Sequence, residues 1–108
     1  MKLREVYEQM KLLDLVESQL QFSEIWLGRS PRYFSHLLAE NREPGIATLA
    51  ALAWRLRQTA ESMNDSPIRR CMLIISIELH NNVSSRMITD IRFHKSRHQA
   101  SLPAATLV

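Results

Sequence analysis

Residues 18–40 read SQLQFSEIWLGRSPRYFSHLLAE, and this stretch decides the fold. Ser18 followed three residues later by Gln21 forms a capping box, in which each side chain satisfies a backbone NH near the start of a helix. Gly28 ends this helix after Leu27, because glycine adopts the left-handed conformation without the steric cost of a side chain.

A second helix is predicted to begin shortly after the glycine. Ser30 is a favoured N-cap, and Pro31 suits the first helical position because its missing NH would have lacked an intrahelical partner. We therefore predict a helix over residues 31–40, separated from the preceding helix by a three-residue turn. Residues 41–45 contain asparagine, proline and glycine, which is typical of a loop.

The rest of the chain favours helices over strands. Few stretches alternate apolar and polar residues at the two-residue period that a half-buried strand requires. Apolar residues recur at helical spacing from Leu3 to Val16, which predicts a first helix over residues 2–17. The same spacing predicts a fourth helix from Ile46, with an inward stripe that ends at Ala60.

The C-terminal third carries its own helix signals. Ser66 and Pro67 repeat the pattern of polar cap and first-turn proline, and they predict a fifth helix that ends near residues 80–82. A sixth helix follows in this prediction, with Ser84 or Ser85 as its cap. The predicted fold class is therefore all-α, a domain of five or six helices.

Size and composition limit the classes of protein that fit. A chain of 108 residues with 45% hydrophobic residues has room for one compact domain. The 14 Lys and Arg residues against 11 Asp and Glu leave a formal charge of only +3, so a nucleic-acid site must be a local patch. Cys71 is the only cysteine, which fits a core thiol in the reducing cytoplasm. No apolar run approaches the length that spans a bilayer, and we expect no membrane partner.

Two short helices joined across a turn at a glycine are the elements of a helix-turn-helix. An α-helix is about 10 to 12 Å across, which matches the roughly 12 Å width of the DNA major groove. The first turn of such a helix presents side chains to base edges. The sequence therefore predicts that the helix over residues 31–40 enters the major groove of double-stranded DNA.

This segment resembles the lambda-repressor-like family, also called the Cro/C1 or XRE type. The likeness covers about 40 residues and is carried by GRSPRYFSHL, a loop that ends in Pro44, and a helix that begins IATLAALAWRL. Gly28 matches the turn glycine of the family, and Phe34 and Leu37 match the apolar packing positions that follow it. The resemblance implies a DNA-binding domain of that type.

The sequence departs from the family pattern at two places. Family members usually have alanine four residues before the turn glycine, where this chain has Glu24, preceded by Ser23. Either one inserted residue in the second helix or a different crossing of the two helices accounts for Glu24 in place of the alanine. The residue after the glycine is normally apolar, whereas here it is Arg29, which suits a phosphate contact. The run FSEIWLGRS also resembles small, uncharacterised proteobacterial proteins, a likeness that supplies no activity.

The resemblance assigns roles to exposed positions around the predicted turn. It implies that five side chains at the start of the third helix contact DNA bases, namely Ser30, Arg32, Tyr33, Ser35 and His36. Contacts to DNA phosphates are expected from Arg29, Asn41 and Arg42, and the family likeness adds Gln19 at the start of the second helix. No cofactor or metal is expected.

A homodimer is predicted because one copy offers few phosphate contacts. The segment from Gly28 to Arg42 contains three arginines and one glutamate, which gives a local surplus of two positive charges. Two copies double the contacts and suit a palindromic site. Surplus apolar surface on the fifth and sixth helices marks the expected contact, with Met72, Leu73, Ile74, Ile77 and Ile88. We accordingly divide the chain into a DNA-binding domain (1–63), a helical dimerisation extension (64–98) and a tail without clear periodicity (99–108).

Other side chains have simpler interpretations. Trp26 and Trp54 fit helical core positions better than base stacking. His94 and His98 stand four residues apart, which is metal-ligand spacing, but the sequence offers no obvious third ligand, and a basic, solvated helix end is favoured. No run resembles a nucleophile elbow, a phosphate loop or a paired metal motif, so we expect no enzyme.

Two functional hypotheses follow from the sequence. The first is a sequence-specific, dimeric transcriptional regulator that reads the major groove with the helix over residues 31–40. The second is a non-catalytic adaptor that keeps the helix-turn-helix scaffold and uses the apolar fifth helix to bind another regulator or a protein of the transcription machinery. The modest net charge keeps the second hypothesis open.

Overall fold

The computed structural model describes the backbone of residues 2–98 and the side chains up to Thr89. This part of the chain is all-α and contains no strand, which confirms the predicted fold class. It has five helices: α1 (Leu3–Leu12), α2 (Gln19–Gln21, continued by a π-helical segment, Phe22–Trp26), α3 (Tyr33–Glu40), α4 (Ile46–Glu61) and α5 (Pro67–His98). The predicted tail, residues 99–108, lies outside the described residues.

An aromatic cluster at the centre of the core joins the first three helices. Tyr7, Phe22 and Phe34 come from α1, α2 and α3, and their ring centroids lie 5.0 to 5.2 Å apart. The rings pack in tilted and edge-on orientations, which aromatic pairs prefer over face-to-face stacking. Inner residues of α4 and α5 complete the same core, namely Leu49, Leu52, Leu56, Met72, Ile75, Leu79 and Val83.

Helix α1 ends five residues earlier than the predicted boundary at residue 17. Asp14 adopts a left-handed conformation with φ of 63°, which aspartate tolerates better than most residues. The NH of Leu15 donates to the carbonyl of Met10 at 2.9 Å, and the NH of Asp14 to that of Lys11, so these two carbonyls near the end of the helix are satisfied. Val16 is nevertheless buried in the core.

Helix α3 begins at Tyr33 rather than at the predicted Pro31. The NH of Tyr33 donates to the carbonyl of Ser30 at 3.0 Å, and Arg32 has φ of −97° and ψ of 5°. These are values of a β-turn with Ser30 first and Pro31 second, positions that both residues favour. The connection between α2 and α3 therefore spans residues 27–32 instead of three residues.

The fifth and sixth predicted helices form one continuous helix, α5. Its start is as predicted, since the hydroxyl of Ser66 accepts the NH of Arg69 at 3.1 Å. Ser84 and Ser85 lie inside α5 rather than capping a new helix, because residues 68–98 contain no glycine or proline to end it. No helix in the described part, α5 included, is both long enough and apolar enough to cross a membrane.

Candidate nucleic-acid interface

The turn after α2 depends on Gly28 and on an arginine from α4. Gly28 has φ of +65°, where a residue with a side chain is strained. Arg55 donates from Nη1 to the carbonyl of Trp26 at 3.0 Å and thereby satisfies a carbonyl at the end of α2. A Cβ atom added at Gly28 would lie 2.7 Å from the guanidinium of Arg55. The sequence predicted the glycine but not its arginine partner.

The π-helical segment of α2 brings one extra residue into the helix. The NH of Leu27 donates to the carbonyl of Phe22, five residues earlier, at 3.0 Å. Because of this insertion Ser23 is fully buried, whereas Glu24 is exposed. An extra residue in the second helix is one of the two arrangements that the sequence left open.

Ser23 connects α2 to the start of α3. Its hydroxyl donates to the carbonyl of Gln19 at 2.9 Å and accepts the NH of Phe34 at 3.0 Å. Phe34 lies in the first turn of α3, where backbone NH groups have no partner within the helix. The serine therefore fixes the position at which α3 leaves the turn.

Replacing Ser23 with alanine is expected to lower the free energy of unfolding by about 1 to 3 kcal/mol, because the buried NH of Phe34 loses its acceptor. Urea unfolding followed by circular dichroism measures the change. Ser62→Ala is the matched control, since that hydroxyl also bonds to a carbonyl, that of Thr59, but is exposed. A loss no larger than that of the control would mean that the serine does not hold the two helices together.

Helix α3 has a buried face and an exposed face. Phe34 and Leu37 are buried in the core, while Arg32 and His36 are exposed. Ser30 is also exposed, in the turn that precedes the helix. Among the side chains that the structure describes, no carboxylate forms a salt bridge with Arg32. This guanidinium is therefore available to a partner outside the chain.

The remaining two predicted base-contact residues are half-buried. The ring of Tyr33 packs under the guanidinium of Arg29, 4.8 Å from its centroid, which holds both side chains beside the first turn of α3. Ser35 donates from its hydroxyl to the carbonyl of Arg32 at 3.0 Å. Both side chains border the exposed face rather than project from it.

The predicted phosphate contacts surround this face and are all exposed. Gln19 lies at the start of α2, and Asn41 ends α3 in a left-handed conformation with φ of 52°. Arg42 follows directly and lies 3.6 Å from the carboxylate of Glu40. Because both partners of this pair are exposed, the pair is weak and Arg42 can exchange Glu40 for a phosphate.

The loop after α3 is held in place from α5. Arg86 donates from Nη1 to the carbonyl of Pro44, a fully buried proline, at 2.9 Å. Gly45 is the N-cap residue of α4, and no side chain caps the start of this helix. The uncapped start of α4 opens into a groove lined by Arg29, Tyr33, His36 and Arg42 and also by the carboxylates of Glu40 and Glu43. The face of α3, the loop and the start of α4 thus form one surface, and the sequence did not indicate that Arg86 supports it.

A second exposed surface lies along α4 and α5, and it differs from the prediction at two residues. Met72 is fully buried in the chain's own core, so the predicted dimer contact through Met72 is wrong. Trp54, predicted to be a core residue, is 61% exposed beside Ile77, whereas Trp26 is buried as predicted. Of the other predicted dimer residues, Leu73 is half-buried and three are exposed, namely Ile74, Ile77 and Ile88.

The described side chains give little support for a metal centre. No group of three His, Cys, Asp or Glu residues among them is arranged to hold a metal ion. The side chains of His94 and His98 lie outside the described residues. Cys71 is half-buried at the edge of the core rather than inside it, because it lies next to Met72 at the margin of the inner face of α5.

Comparisons with known proteins identify a family but no activity. No curated protein and no solved structure matches the chain. One family profile matches residues 3–101, which include all five helices. The chain therefore belongs to the family of unknown function DUF6626.

Proposed function

We propose that this protein is a sequence-specific DNA-binding transcriptional regulator that inserts α3 into the major groove. The observation that carries the proposal is the division of α3 into two faces. Phe34 and Leu37 anchor the helix in the core, and this leaves Arg32 and His36 exposed to solvent. A helix anchored in this way fits a groove about 12 Å wide.

The chemistry of the exposed face suits base and phosphate contacts. The guanidinium of Arg32 matches the two acceptors that guanine presents in the major groove, which is the commonest specific contact between proteins and DNA. Arg29 and Arg42 line the groove at the uncapped start of α4, where backbone NH groups favour an anion. The proposed role is non-catalytic, requires no cofactor, and places the protein with DNA in the cytoplasm.

The main test of the proposal is DNA affinity as a function of salt. Fragments selected from random duplex DNA supply the binding site, and fluorescence anisotropy measures the affinity between about 50 and 200 mM salt. If Arg29 and Arg42 each neutralise one phosphate, log affinity falls against log salt with a slope of about −2 per copy. Arg32→Ala is expected to weaken binding by about 1 to 3 kcal/mol and to relax the preference for one base.

Arg70→Ala is the matched control for charge. It also removes one exposed arginine, which is paired with Asp65 at the beginning of α5 rather than near α3. It is expected to leave base preference unchanged. DNA binding through α3 would be contradicted if the affinity did not change with salt. It would also be contradicted if Arg32→Ala and Arg70→Ala both left the affinity unchanged.

The exposed surface of α4 and α5 supports a second candidate function. Trp54 and Ile77 are about 60% exposed, at 61% and 59%, and side by side they form an apolar surface suited to another protein. In this alternative the protein is an adaptor that binds another regulator. Duplex DNA is then not bound, and Arg32→Ala leaves binding to the other regulator unchanged.

A further inference from the structure

Helix α5 is much longer than the part of the core that it covers. Its 32 residues span about 48 Å, whereas the 16 residues of α4, its main neighbour, span about 24 Å. The inner face of α5 packs against the core from Met72 to Val83, and Arg86 reaches the loop after α3. The helix continues beyond this contact to His98. The segment of α5 beyond Arg86 is short, and an isolated helix of its length is marginal in water. A partner that packs along α5 would therefore stabilise it.

The outer face of α5 carries a regular apolar seam. Ile74, Ile77, Asn81, Ser84 and Ile88 follow one another at spacings of three and four residues, the spacing with which two helices pair. The three isoleucines are 50 to 59% exposed, Asn81 is exposed and Ser84 is half-buried. The face that Met72, Ile75 and Leu79 turn to the core belongs to the other side of the helix. We call the five outer residues the α5 seam.

A groove runs beside the α5 seam and widens the apolar surface. It lies between α4 and α5 and has a volume of about 680 Å³, and its lining combines Ala50, Trp54, Leu73 and Ile77 with the polar side chains of Arg57, Glu61 and His80. The exposed Ala50 allows close approach of another helix, and Trp54 provides a large apolar flank. A helix that packs along the seam would also cover Trp54.

The polar residues of the seam indicate which helix fits. In a parallel pair of like helices Asn81 faces the same residue of the partner, and in an antiparallel pair centred between residues 82 and 83 it faces Ser84. In both directions the asparagine amide finds a hydrogen-bonding side chain, whereas an entirely apolar helix from another protein would leave it buried and unpaired, which is costly. The seam is therefore complementary to itself.

The exposed apolar area favours such a pair. Trp54, Ile74, Ile77 and Ile88 are each 50 to 61% exposed. Each leaves on the order of 100 Å² or more accessible, so together they supply about half of the roughly 800 Å² per partner of a standard interface. We propose that a second copy of this chain packs on the α5 seam and over Trp54. The proposal gives the predicted homodimer its contact surface, and the use of that dimer in DNA binding rests on the proposed function.

The oligomeric state of the full chain in the absence of DNA tests this proposal. Analytical ultracentrifugation at tens of micromolar is expected to give twice the 12.5 kDa mass of the chain. Ile77→Lys is expected to raise the dissociation constant by about a hundredfold or more, because a lysine in the seam places two charges in an apolar contact. Ile74→Lys is the second seam variant, and circular dichroism verifies that both variants fold.

Ile25→Lys is the matched control, since Ile25 is 58% exposed on α2, almost the same as Ile77, but lies outside the seam. It is expected to remain dimeric. A wild-type chain that stays monomeric, or a dimer that resists both seam variants, would overturn the proposal. If the chain binds DNA as a monomer, the seam proposal is wrong but the proposed function stands. If the chain forms a seam-dependent dimer that has no affinity for DNA, the proposed function is wrong but the seam proposal stands.

Discussion

Replacing Phe34 with alanine is expected to destabilise the chain by about 3 to 5 kcal/mol, the loss typical of a large aromatic side chain removed from a core. The ring is fully buried and contacts Tyr7 and Phe22 with centroids 5.0 Å away in both cases. The cavity would open where α1, α2 and α3 meet. Since domains of this size are stable by roughly 5 to 15 kcal/mol, the substitution removes a large fraction of the stability.

Urea unfolding monitored by circular dichroism measures this loss as a lower midpoint at an unchanged slope. Leu12→Ala is the control, because Leu12 is 87% exposed and its truncation is expected to change stability by less than about 0.5 kcal/mol. If Phe34→Ala costs no more than about 1 kcal/mol, the ring does not anchor α3 in the core.

This prediction bears on DNA binding as well as on stability. Phe34 lies between Arg32 and His36 in sequence but on the opposite face of α3. Its burial is therefore what turns the two polar side chains outward. A variant that loses this anchor should also lose the fixed orientation of the proposed DNA-contacting face.

The sequence predicted those elements whose cause is contained in a few neighbouring residues. The bond from the Gln21 NH to the Ser18 hydroxyl at 3.1 Å, the left-handed Gly28 and the left-handed Asn41 are local properties. Each depends on the conformational preference of one residue and its immediate neighbours. These local signals were enough to place the start of α2, the left-handed glycine after it and the end of α3.

The sequence failed where the cause lies far along the chain. The π-helical segment of α2 is supported by the bond between Ser23 and the Phe34 NH, which lie 11 residues apart. Arg55 bonds to the carbonyl of Trp26, 29 residues away, and Arg86 bonds to the carbonyl of Pro44, 42 residues away. No spacing rule connects such pairs, because their proximity is a product of the tertiary fold.

The continuity of α5 and the exposure of Trp54 were missed for a different reason. Ser84 and Ser85 are good caps, but a cap begins a helix only where the preceding helix has ended. Hydrophobic spacing likewise does not say how many faces of a helix the core can cover. Trp54 and the α5 seam remain exposed because one chain of this size lacks the helices to cover them.

The affinity for a duplex with two half-sites is expected to differ strongly between a dimer and a single copy. One copy contributes few phosphate contacts, since the charge surplus around α3 is small. When two copies are joined through the α5 seam, the second α3 binds from a high effective concentration, which raises affinity by about 10² to 10⁴-fold. Half-sites about 34 to 36 Å apart, or a multiple of this distance, place both helices on the same side of the duplex.

Ile77→Lys is therefore expected to lower the affinity for the two-site duplex by about 10²-fold or more while the affinity for a single half-site stays the same. The ratio of the two affinities is the quantity to measure, because Ile25→Lys adds the same charge at an equally exposed position and should leave that ratio unchanged. Added charge alone raises both affinities together and cancels in the ratio. A ratio that Ile77→Lys does not reduce would mean that two copies bind DNA independently, since Ile77 lies on α5 and has no part in the contacts made by α3.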